Sequence, residues 1–120
     1  MNSFRRGSKY HATKTVVDGI KFDSKKEARR WLELRALESA GRICNLQRQV
    51  RFELLPSQRD KVTNKVIERP CFYVADFTYT DAKDDSYVIE DVKTPATATP
   101  VYKLKKKLLL WRYNYRVKEV

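Results

Sequence analysis

Two acidic residues and a lysine follow an apolar strand pattern in residues 86–93, which read Ser-Tyr-Val-Ile-Glu-Asp-Val-Lys. Side chains of a strand alternate between its two faces, so Asp91 and Lys93 share one face. A buried charge is costly unless it is paired or binds a metal ion. A carboxylate and an ammonium group that leave the same face of a largely apolar strand therefore indicate a chemical site.

Two further acids are placed to meet this strand. Asp76 lies in the middle of a second strand pattern, residues 71–79, which an acidic turn joins to the first. Opposed residues of such a hairpin have Cβ atoms about 4.5–5.5 Å apart, so Asp76 can approach Asp91. Glu27 lies on the apolar side of a helix pattern that begins at Ser24. We therefore expect one site made of Glu27, Asp76, Asp91 and Lys93.

These residue types suggest the chemistry of a metal site. Neighbouring carboxylates repel one another, which raises the pKa of one of them unless a cation lies between them. Carboxylate oxygens with water in the remaining positions suit Mg²⁺ or Mn²⁺. Such an ion lowers the pKa of bound water and neutralises a phosphate oxygen, and a neighbouring lysine stabilises developing negative charge. The residue types therefore predict metal-dependent phosphodiester hydrolysis.

The charge of the chain points to a polyanionic partner. Its 120 residues include 26 Lys and Arg against 15 Asp and Glu, a net charge of +11. Residues 76–91 nevertheless hold six acids and one base, whereas residues 103–118 hold seven bases and no acid. An acidic centre in a basic protein is consistent with acids that hold cations to which phosphate also binds. We expect nucleic-acid contacts from basic residues of the N-terminus and the second helix: Arg5, Arg6, Lys9, Lys103, Lys106 and Lys107.

Local signals predict the elements that position these groups. Asp18-Gly19 predicts a hairpin. Ser24 and Glu27 form a capping box that opens a helix to about residue 40, and Thr99-Pro100 opens a second helix. Apolar alternation predicts strands at 50–54, 71–79, 86–93 and 115–120, with a polar loop at 57–65. On the second strand, alternation places Val74, Asp76 and Thr78 on one face. In the second helix the spacing predicts a core face of Val101, Leu104, Leu108 and Trp111.

These elements predict one α/β domain. Residues 1–13 lack periodicity and are predicted to be a flexible basic arm, with a single domain over residues 14–120. After the first hairpin the order is helix, three strands, helix and strand. The chain has neither an apolar run near the roughly 20 residues of a membrane span nor a signal sequence. We therefore expect a cytoplasmic protein without a membrane partner.

The combination resembles the PD-(D/E)XK nuclease superfamily, in which a strand acid is followed by (Asp/Glu)-x-Lys on the next strand, with a helix glutamate upstream. The order of elements is also similar to the αβββαβ core of that superfamily. Residues 18–28, 73–77, 90–93 and 99–107 resemble more narrowly a family of small nuclease-like proteins of phages and prophages. One departure is Ala75, which stands where the superfamily's Pro-Asp pair has proline.

The resemblance implies a restriction-endonuclease-like core with a mixed central sheet and an extra N-terminal hairpin. It implies that Asp76 and Asp91 bind Mg²⁺ or Mn²⁺ and that Glu27 helps to bind the metal or its water. Lys93 would act on the nucleophile or the transition state. It further implies a DNA endonuclease that cuts branched or Holliday-junction DNA during phage or prophage DNA processing. Such an enzyme would act as a homodimer in the cytoplasm of a bacterial host.

Other interpretations of the same residues stay open. The capping box alone accounts for Glu27, and Asp76 could be an ordinary edge-strand acid. Asp91 and Lys93 could form a surface ion pair that contributes about 0–1 kcal/mol. Glu90 replaces Asp91 as the ligand if a bulge shifts the alternation. A non-catalytic, basic nucleic-acid-binding module is the alternative function, and nicking, packaging or end processing are alternative roles for a nuclease.

Overall fold

The structure, a computed structural model, describes residues 14–120. Two helices, one four-stranded sheet and two short hairpins make up this part of the chain. In chain order the elements are β1 (Thr15–Val17), β2 (Ile20–Phe22), α1 (Lys25–Ser39), β3 (Ile43–Leu55), β4 (Gln58–Arg59), β5 (Val66–Glu68), β6 (Cys71–Asp81), β7 (Tyr87–Asp91), α2 (Pro100–Tyr113) and β8 (Val117–Glu119). The predicted basic arm, residues 1–13, lies outside the described residues.

The central sheet is mixed. Its strand order is β3-β6-β7-β8, with antiparallel pairing except between β7 and β8, which are parallel. A parallel neighbour requires a crossover connection, and α2 supplies it between β7 and β8. The hairpin of β1 and β2 precedes this core. The prediction of an α/β fold with the order αβββαβ, a mixed sheet and an extra N-terminal hairpin is therefore confirmed.

Local sequence signals act as expected at three element ends. The β1–β2 turn has left-handed backbone at Asp18 (φ 53°) and Gly19 (φ 75°), which an Asp-Gly pair tolerates. The Ser24 hydroxyl accepts a hydrogen bond from the Glu27 backbone amide at 3.1 Å and caps α1. Thr99 caps α2 in the same way, with Pro100 in the first turn. Both helices therefore begin where the sequence predicts.

Two hydrophobic clusters lie on opposite faces of the sheet. Val88 packs in the cluster beneath α1, whereas the adjacent Ile89 is buried in the cluster beneath α2. Neighbouring residues of a strand point to opposite faces, so the two helices cover different sides of the sheet. The α1 cluster is centred on Phe22, Trp31, Leu34 and Phe77, and the α2 cluster on Leu54, Tyr73, Tyr102 and Leu109. The sheet is thus buried on both faces.

The prediction for the core face of α2 is wrong. Val101, Leu104 and Trp111 are 63%, 58% and 77% exposed, and Leu108 is only partly buried. The residues that α2 buries are Tyr102 and Leu109. Apolar residues occur on two sides of this helix, and the side that carries Tyr102 packs against the sheet.

Several boundaries also differ from those predicted. The first central strand begins at Ile43 rather than near Val50, and the last covers only Val117–Glu119. The segment predicted as a loop, residues 57–65, contributes to the hairpin of β4 and β5. Among the helices in residues 14–120, none combines the length and apolar character needed to cross a membrane.

Candidate active site

Three of the four predicted site residues converge where β6, β7 and α1 meet. Asp76 is in the middle of β6, Asp91 is the last residue of β7, and Glu27 is in the first turn of α1. Asp91 and Glu27 are only 2% and 7% exposed, and Asp76 is half-buried. Acids are almost never so deeply buried without partners. Their partners therefore decide what this cluster can do.

Asp76 and Asp91 are joined by two reciprocal hydrogen bonds. The backbone amide of Asp76 donates to Oδ1 of Asp91 at 3.0 Å. The backbone amide of Val92, next to Asp91, donates to Oδ2 of Asp76 at 2.9 Å. Each carboxylate thus accepts a bond from the other strand at the point where β7 ends. The geometry holds the two acids side by side with their backbones fixed.

Gln49 on β3 connects this pair to the helix glutamate. Its side-chain amide Nε2 lies 3.4 Å from Oε2 of Glu27 and 3.4 Å from Oδ1 of Asp76. One amide therefore donates towards two carboxylates that would otherwise repel each other. Sequence reasoning missed Gln49, because it lies in a polar stretch without an acid or a periodic apolar pattern.

The strands change face at the level of Gln49 and Asp76. On β6, Tyr73 and Ala75 belong to the α2 cluster, whereas Phe77 and Tyr79 belong to the α1 cluster. Regular alternation would place all four on one face. The pairing of β3 with β6 keeps one register from Gln47 to Glu53, which sets Gln49 opposite Asp76. The left-handed backbone at Gln49 (φ 54°) marks the irregularity on β3.

This change of face corrects one prediction and explains the site. Val74 lies opposite to Tyr73 and Thr78 opposite to Phe77, so Val74 and Thr78 are on different faces, not on one face with Asp76 as predicted. At the transition, Asp76 can reach the end of β7 and also Gln49. Its carboxylate is therefore accessible to partners from both neighbouring strands.

The electrostatics of the cluster favour a proton or a cation. Burial, reinforced by the negative charge of Asp76, raises the pKa of Glu27 to about 7. Burial raises the pKa of Asp91 to about 6, although the hydrogen bond from the Asp76 amide and the charge of Lys93 oppose the shift. Burial also raises the pKa of Asp76. At neutral pH, a positive charge that enters the cluster therefore stabilises it.

Lys93 lies beside the acids on the α2 side. Its Nζ is 4.2 Å from the ring centroid of Tyr102, and its positive charge opposes the rise in the pKa of Asp76 and Asp91 without cancelling it. The backbone of Lys93 is held on both sides. Its amide donates to the Val120 carbonyl at 3.1 Å, and its carbonyl accepts from Lys26 Nζ at 2.8 Å. The lysine therefore projects from a fixed backbone, with an aromatic face beneath its ammonium group.

Glu90, the alternative ligand, serves the opposite face of the sheet. Its carboxylate is fully buried and accepts hydrogen bonds from Nε and Nη2 of Arg30, at 2.8 and 2.7 Å. The Tyr79 hydroxyl donates to the same carboxylate. Two parallel bonds from one guanidinium give the geometry expected of a strong, directional pair. Glu90 thus ties β7 to α1, and alternation leaves Asp91 to the site, with no bulge in the β6–β7 pairing.

The structure describes three of the six predicted nucleic-acid contacts, and all three lie on α2. Lys103 and Lys107 are exposed on α2, whereas Lys106 Nζ is paired with Oε2 of Glu119 at 3.0 Å. Arg5, Arg6 and Lys9 lie outside the described residues. Within residues 14–120, no group of three or more His, Cys, Asp or Glu side chains stands in a geometry ready to hold a metal ion.

The comparison with known proteins gives a family but no activity. No curated protein and no solved structure matches the chain. A family model described as "Protein of unknown function (DUF1064)" matches residues 7–119. Since this match covers nearly the whole sequence, the chain belongs to the DUF1064 family.

Proposed function

We propose that this protein is a metal-dependent endonuclease that hydrolyses phosphodiester bonds in DNA. The observation that carries the proposal is the convergence of Asp76, Asp91 and Glu27, which Gln49 and two backbone amides join into one cluster. Lys93 stands beside that cluster. A buried group of acids with raised pKa values and one adjacent amine is typical of a functional site.

The residue types of the cluster suit a hard divalent cation, Mg²⁺ or Mn²⁺, but Asp76, Asp91 and Glu27 would have to move closer together to share one, since no three described acids form a metal-ready group. Carboxylate oxygens are the ligands that such ions prefer, and the cluster supplies them from Asp76, Asp91 and Glu27. Asp91 uses Oδ1 to accept the Asp76 amide, which leaves Oδ2 for an ion. When bound, the ion would neutralise charge on a phosphate oxygen and acidify water.

The side chains of this chain would perform the remaining steps. Glu27, with a pKa of about 7, can accept a proton from water at Oε1 or Oε2 near neutral pH. The ammonium group of Lys93 would stabilise the negative charge that develops on the phosphate oxygens. Tyr102 beneath it restricts where that ammonium group can move.

The substrate is proposed to be branched or junction DNA, processed for a phage or prophage inside a bacterial cell. A net charge of +11 favours a polyanion. Exposed lysines of α2, Lys103 and Lys107, follow Lys93 in the chain and would contact phosphates, as would Lys106 if it leaves Glu119. Cutting both strands at a junction requires two sites, which favours a homodimer.

A second candidate is a basic nucleic-acid-binding module without catalysis. It is favoured by one observation: the reciprocal bonds between Asp76 and Asp91 also fasten β6 to the end of β7, which is a structural use of both acids. In that case Glu27 has no catalytic role: its backbone amide bonds the Ser24 cap, and its carboxylate is held by Gln49. The two candidates differ in whether binding is followed by cleavage.

The decisive experiment is Asp91→Asn with four-way, flapped, single-stranded and linear duplex DNA in Mg²⁺, Mn²⁺ or chelator. Asparagine keeps an oxygen to accept the Asp76 amide but loses the charge, so the fold should persist. We expect cleavage to fall by about 100-fold or more, with DNA binding retained. Asp85→Asn, at an exposed turn position with left-handed backbone that asparagine tolerates, is the matched control and should cut normally.

Cleavage by Asp91→Asn at the wild-type rate would remove Asp91 from the mechanism. DNA binding by the wild type without cleavage in either metal would establish the binding module instead. Competition among the four DNA forms then separates junction processing from nicking, packaging or end processing.

A further inference from the structure

The hairpin segment of residues 57–69 has no partner in the described part of the chain. Every residue from 55 to 69 is exposed except Asp60. Val62, near the tip, is 92% exposed, and Ile67 is 61% exposed. A two-stranded hairpin without a packed face is marginally stable in water. Local interactions must therefore hold its shape.

The turn of this hairpin segment is held by its own hydrogen bonds. Oδ1 of Asp60 accepts hydrogen bonds from the backbone amides of Val62 and Thr63, each at 2.8 Å. The Asp60 amide donates to the Lys65 carbonyl at 2.8 Å, and its carbonyl accepts the Asn64 amide at 2.9 Å. These bonds thus order the segment before any partner binds, although it packs against no other part of residues 14–120. Such preorganisation lowers the entropy cost of binding a partner.

The charge of the hairpin segment indicates the chemistry of that partner. Its ionisable side chains are four bases and two acids: Arg59, Lys61, Lys65, Arg69, Asp60 and Glu68. The carboxylate of Asp60 is already engaged by the turn amides. Among ion pairs within residues 14–120, none includes a base of this segment. Unpaired bases around an apolar tip fit a nucleic acid whose bases are partly exposed.

The hairpin segment stands on the same strands as the candidate active site. The ladder between β6 and β7 starts at Phe77, whereas β3 accompanies β6 back to Cys71. Beyond Asp76 the two strands therefore continue as a ribbon that ends in the hairpin. Lys65, near the tip of the hairpin segment, precedes Asp76 by eleven residues, which is at most about 36 Å of extended strand. One DNA molecule can span this distance with about eleven nucleotides of a duplex strand.

We propose that the hairpin segment of residues 57–69 binds the DNA that flanks the cleaved bond, with Lys61 and Lys65 on phosphates and Val62 against bases exposed at a branch point. This inference rests on the proposed function, because it assigns the segment to the substrate of the same site. It also supplies a reason for an apolar residue at the exposed tip. Apolar side chains placed between base steps stabilise unstacked DNA, which a junction offers at low cost.

The test measures binding in chelator, so that cleavage does not interfere. Fluorescent four-way and linear duplex DNA are titrated over a series of salt concentrations. We expect K61Q/K65Q to lower affinity for both forms at least tenfold and to reduce the slope of log affinity against log salt by about 2. The matched control is R42Q/K83Q, which removes two exposed bases near the opposite end of β6 and should change affinity less than twofold.

The contact with bases is tested separately with V62S, which keeps the charge. We expect its preference for four-way over linear DNA to fall about fivefold or more, with an unchanged salt slope. L32S removes another exposed apolar side chain, on α1, and should retain the preference. Circular dichroism establishes that all four variants are folded.

An unchanged affinity and salt slope for K61Q/K65Q would overturn the inference, and if the wild type still cuts DNA the nuclease proposal would stand without it. Reduced binding by K61Q/K65Q, with no cleavage by the wild type in Mg²⁺ or Mn²⁺, would support DNA binding by the hairpin segment but overturn the nuclease, and with it the placement of this DNA beside a cleaved bond. A wild type that binds no DNA would overturn both the inference and the nuclease proposal.

Discussion

The two helices cover opposite faces of one sheet, but they use their apolar residues in different ways. In α1 the apolar side that carries Glu27 is inside, as predicted: Ala28, Trp31 and Leu34 are buried together with Glu27. In α2 the predicted stripe is largely outside, and Tyr102 and Leu109 are buried in its place. The spacing rule is the same in both helices, so the difference lies in what each sheet face offers.

The two helices differ in whether the apolar spacing alone predicts their buried side. In α1 the buried side follows from the spacing, and Leu32 is the one large apolar side chain that this helix leaves largely exposed. α2 has apolar residues on two sides, and a polar bond selects between them. The Tyr102 hydroxyl donates to Oε2 of Glu119 at 2.6 Å, while its ring lies beneath Lys93. Such contacts across the fold are absent from the local pattern, which therefore cannot choose the inner side.

The sharpest way to break this comparison is a matched pair of leucine truncations. Leu34 in α1 is completely buried, whereas Leu104 in α2 is 58% exposed. We expect Leu34→Ala to lower the free energy of unfolding by about 2–5 kcal/mol, because it leaves a cavity. Leu104→Ala should change it by about 0.5 kcal/mol or less. Urea denaturation measures both, and an equally large loss for Leu104→Ala would restore the predicted inner side of α2.

A second difference is that α1 buries an acid. The pKa of Glu27 is raised to about 7 in the folded protein, so between pH 4.5 and 7 the folded state binds more protons than the unfolded state. Without divalent metal, stability should therefore fall as the pH rises through this range. We expect Glu27→Gln to remove much of that fall and to raise the free energy of unfolding at pH 8 by on the order of 1–3 kcal/mol.

The control for this prediction is Glu33→Gln, also on α1 but with a side chain that is 56% exposed. Because it removes an exposed charge instead of a buried one, it should not raise the free energy of unfolding at pH 8. Loss of stability at pH 8 in Glu27→Gln would mean that the charged glutamate is stabilised by its surroundings, and that the cluster is a structural ion-pair network.

The smallest expected effects concern the first turns. Ser24→Ala removes the cap of α1 and Thr99→Ala the cap of α2, each at about 0.5–2 kcal/mol. Because Pro100 still fixes the first residue of α2, we expect the loss to be smaller for Thr99→Ala. Thermal unfolding of both variants, with Ser24→Thr and Thr99→Ser as cap-preserving controls, measures the difference. Equal losses would show that the proline contributes nothing measurable.

Much of the fold follows from local chemistry. The Asp18-Gly19 turn, the Ser24 cap and the Thr99-Pro100 start each require only a few neighbouring residues, and each appears as predicted. The return bond of the predicted capping box does not form, because the Glu27 carboxylate is directed to Gln49. Strand alternation also separates Asp91 from Glu90 correctly, since Glu90 pairs with Arg30 whereas Asp91 joins Asp76. These features depend on backbone geometry that the residues themselves determine.

The remaining features depend on contacts between distant segments. Gln49 reaches Glu27 and Asp76 only because β3 pairs with β6 in one register and adopts left-handed backbone there. Glutamine is not a residue type that predicts such a backbone. Residues 57–65 are mostly polar, as is usual for an exposed segment. An exposed hairpin and a loop have similar compositions, so composition alone could not distinguish them. The metal and the DNA substrate stay predictions.

The change of face at Gln49 and Asp76 makes the sheet modular. Residues of β6 before Asp76 belong to one hydrophobic interior, and those after it belong to another. Substitutions in separate, non-contacting interiors have nearly additive effects on stability. A designer could therefore strengthen the interior around Leu54 and Tyr73 without repacking the one around Trp31 and Phe77. The carboxylates would remain at the boundary, where neither redesign needs to touch them.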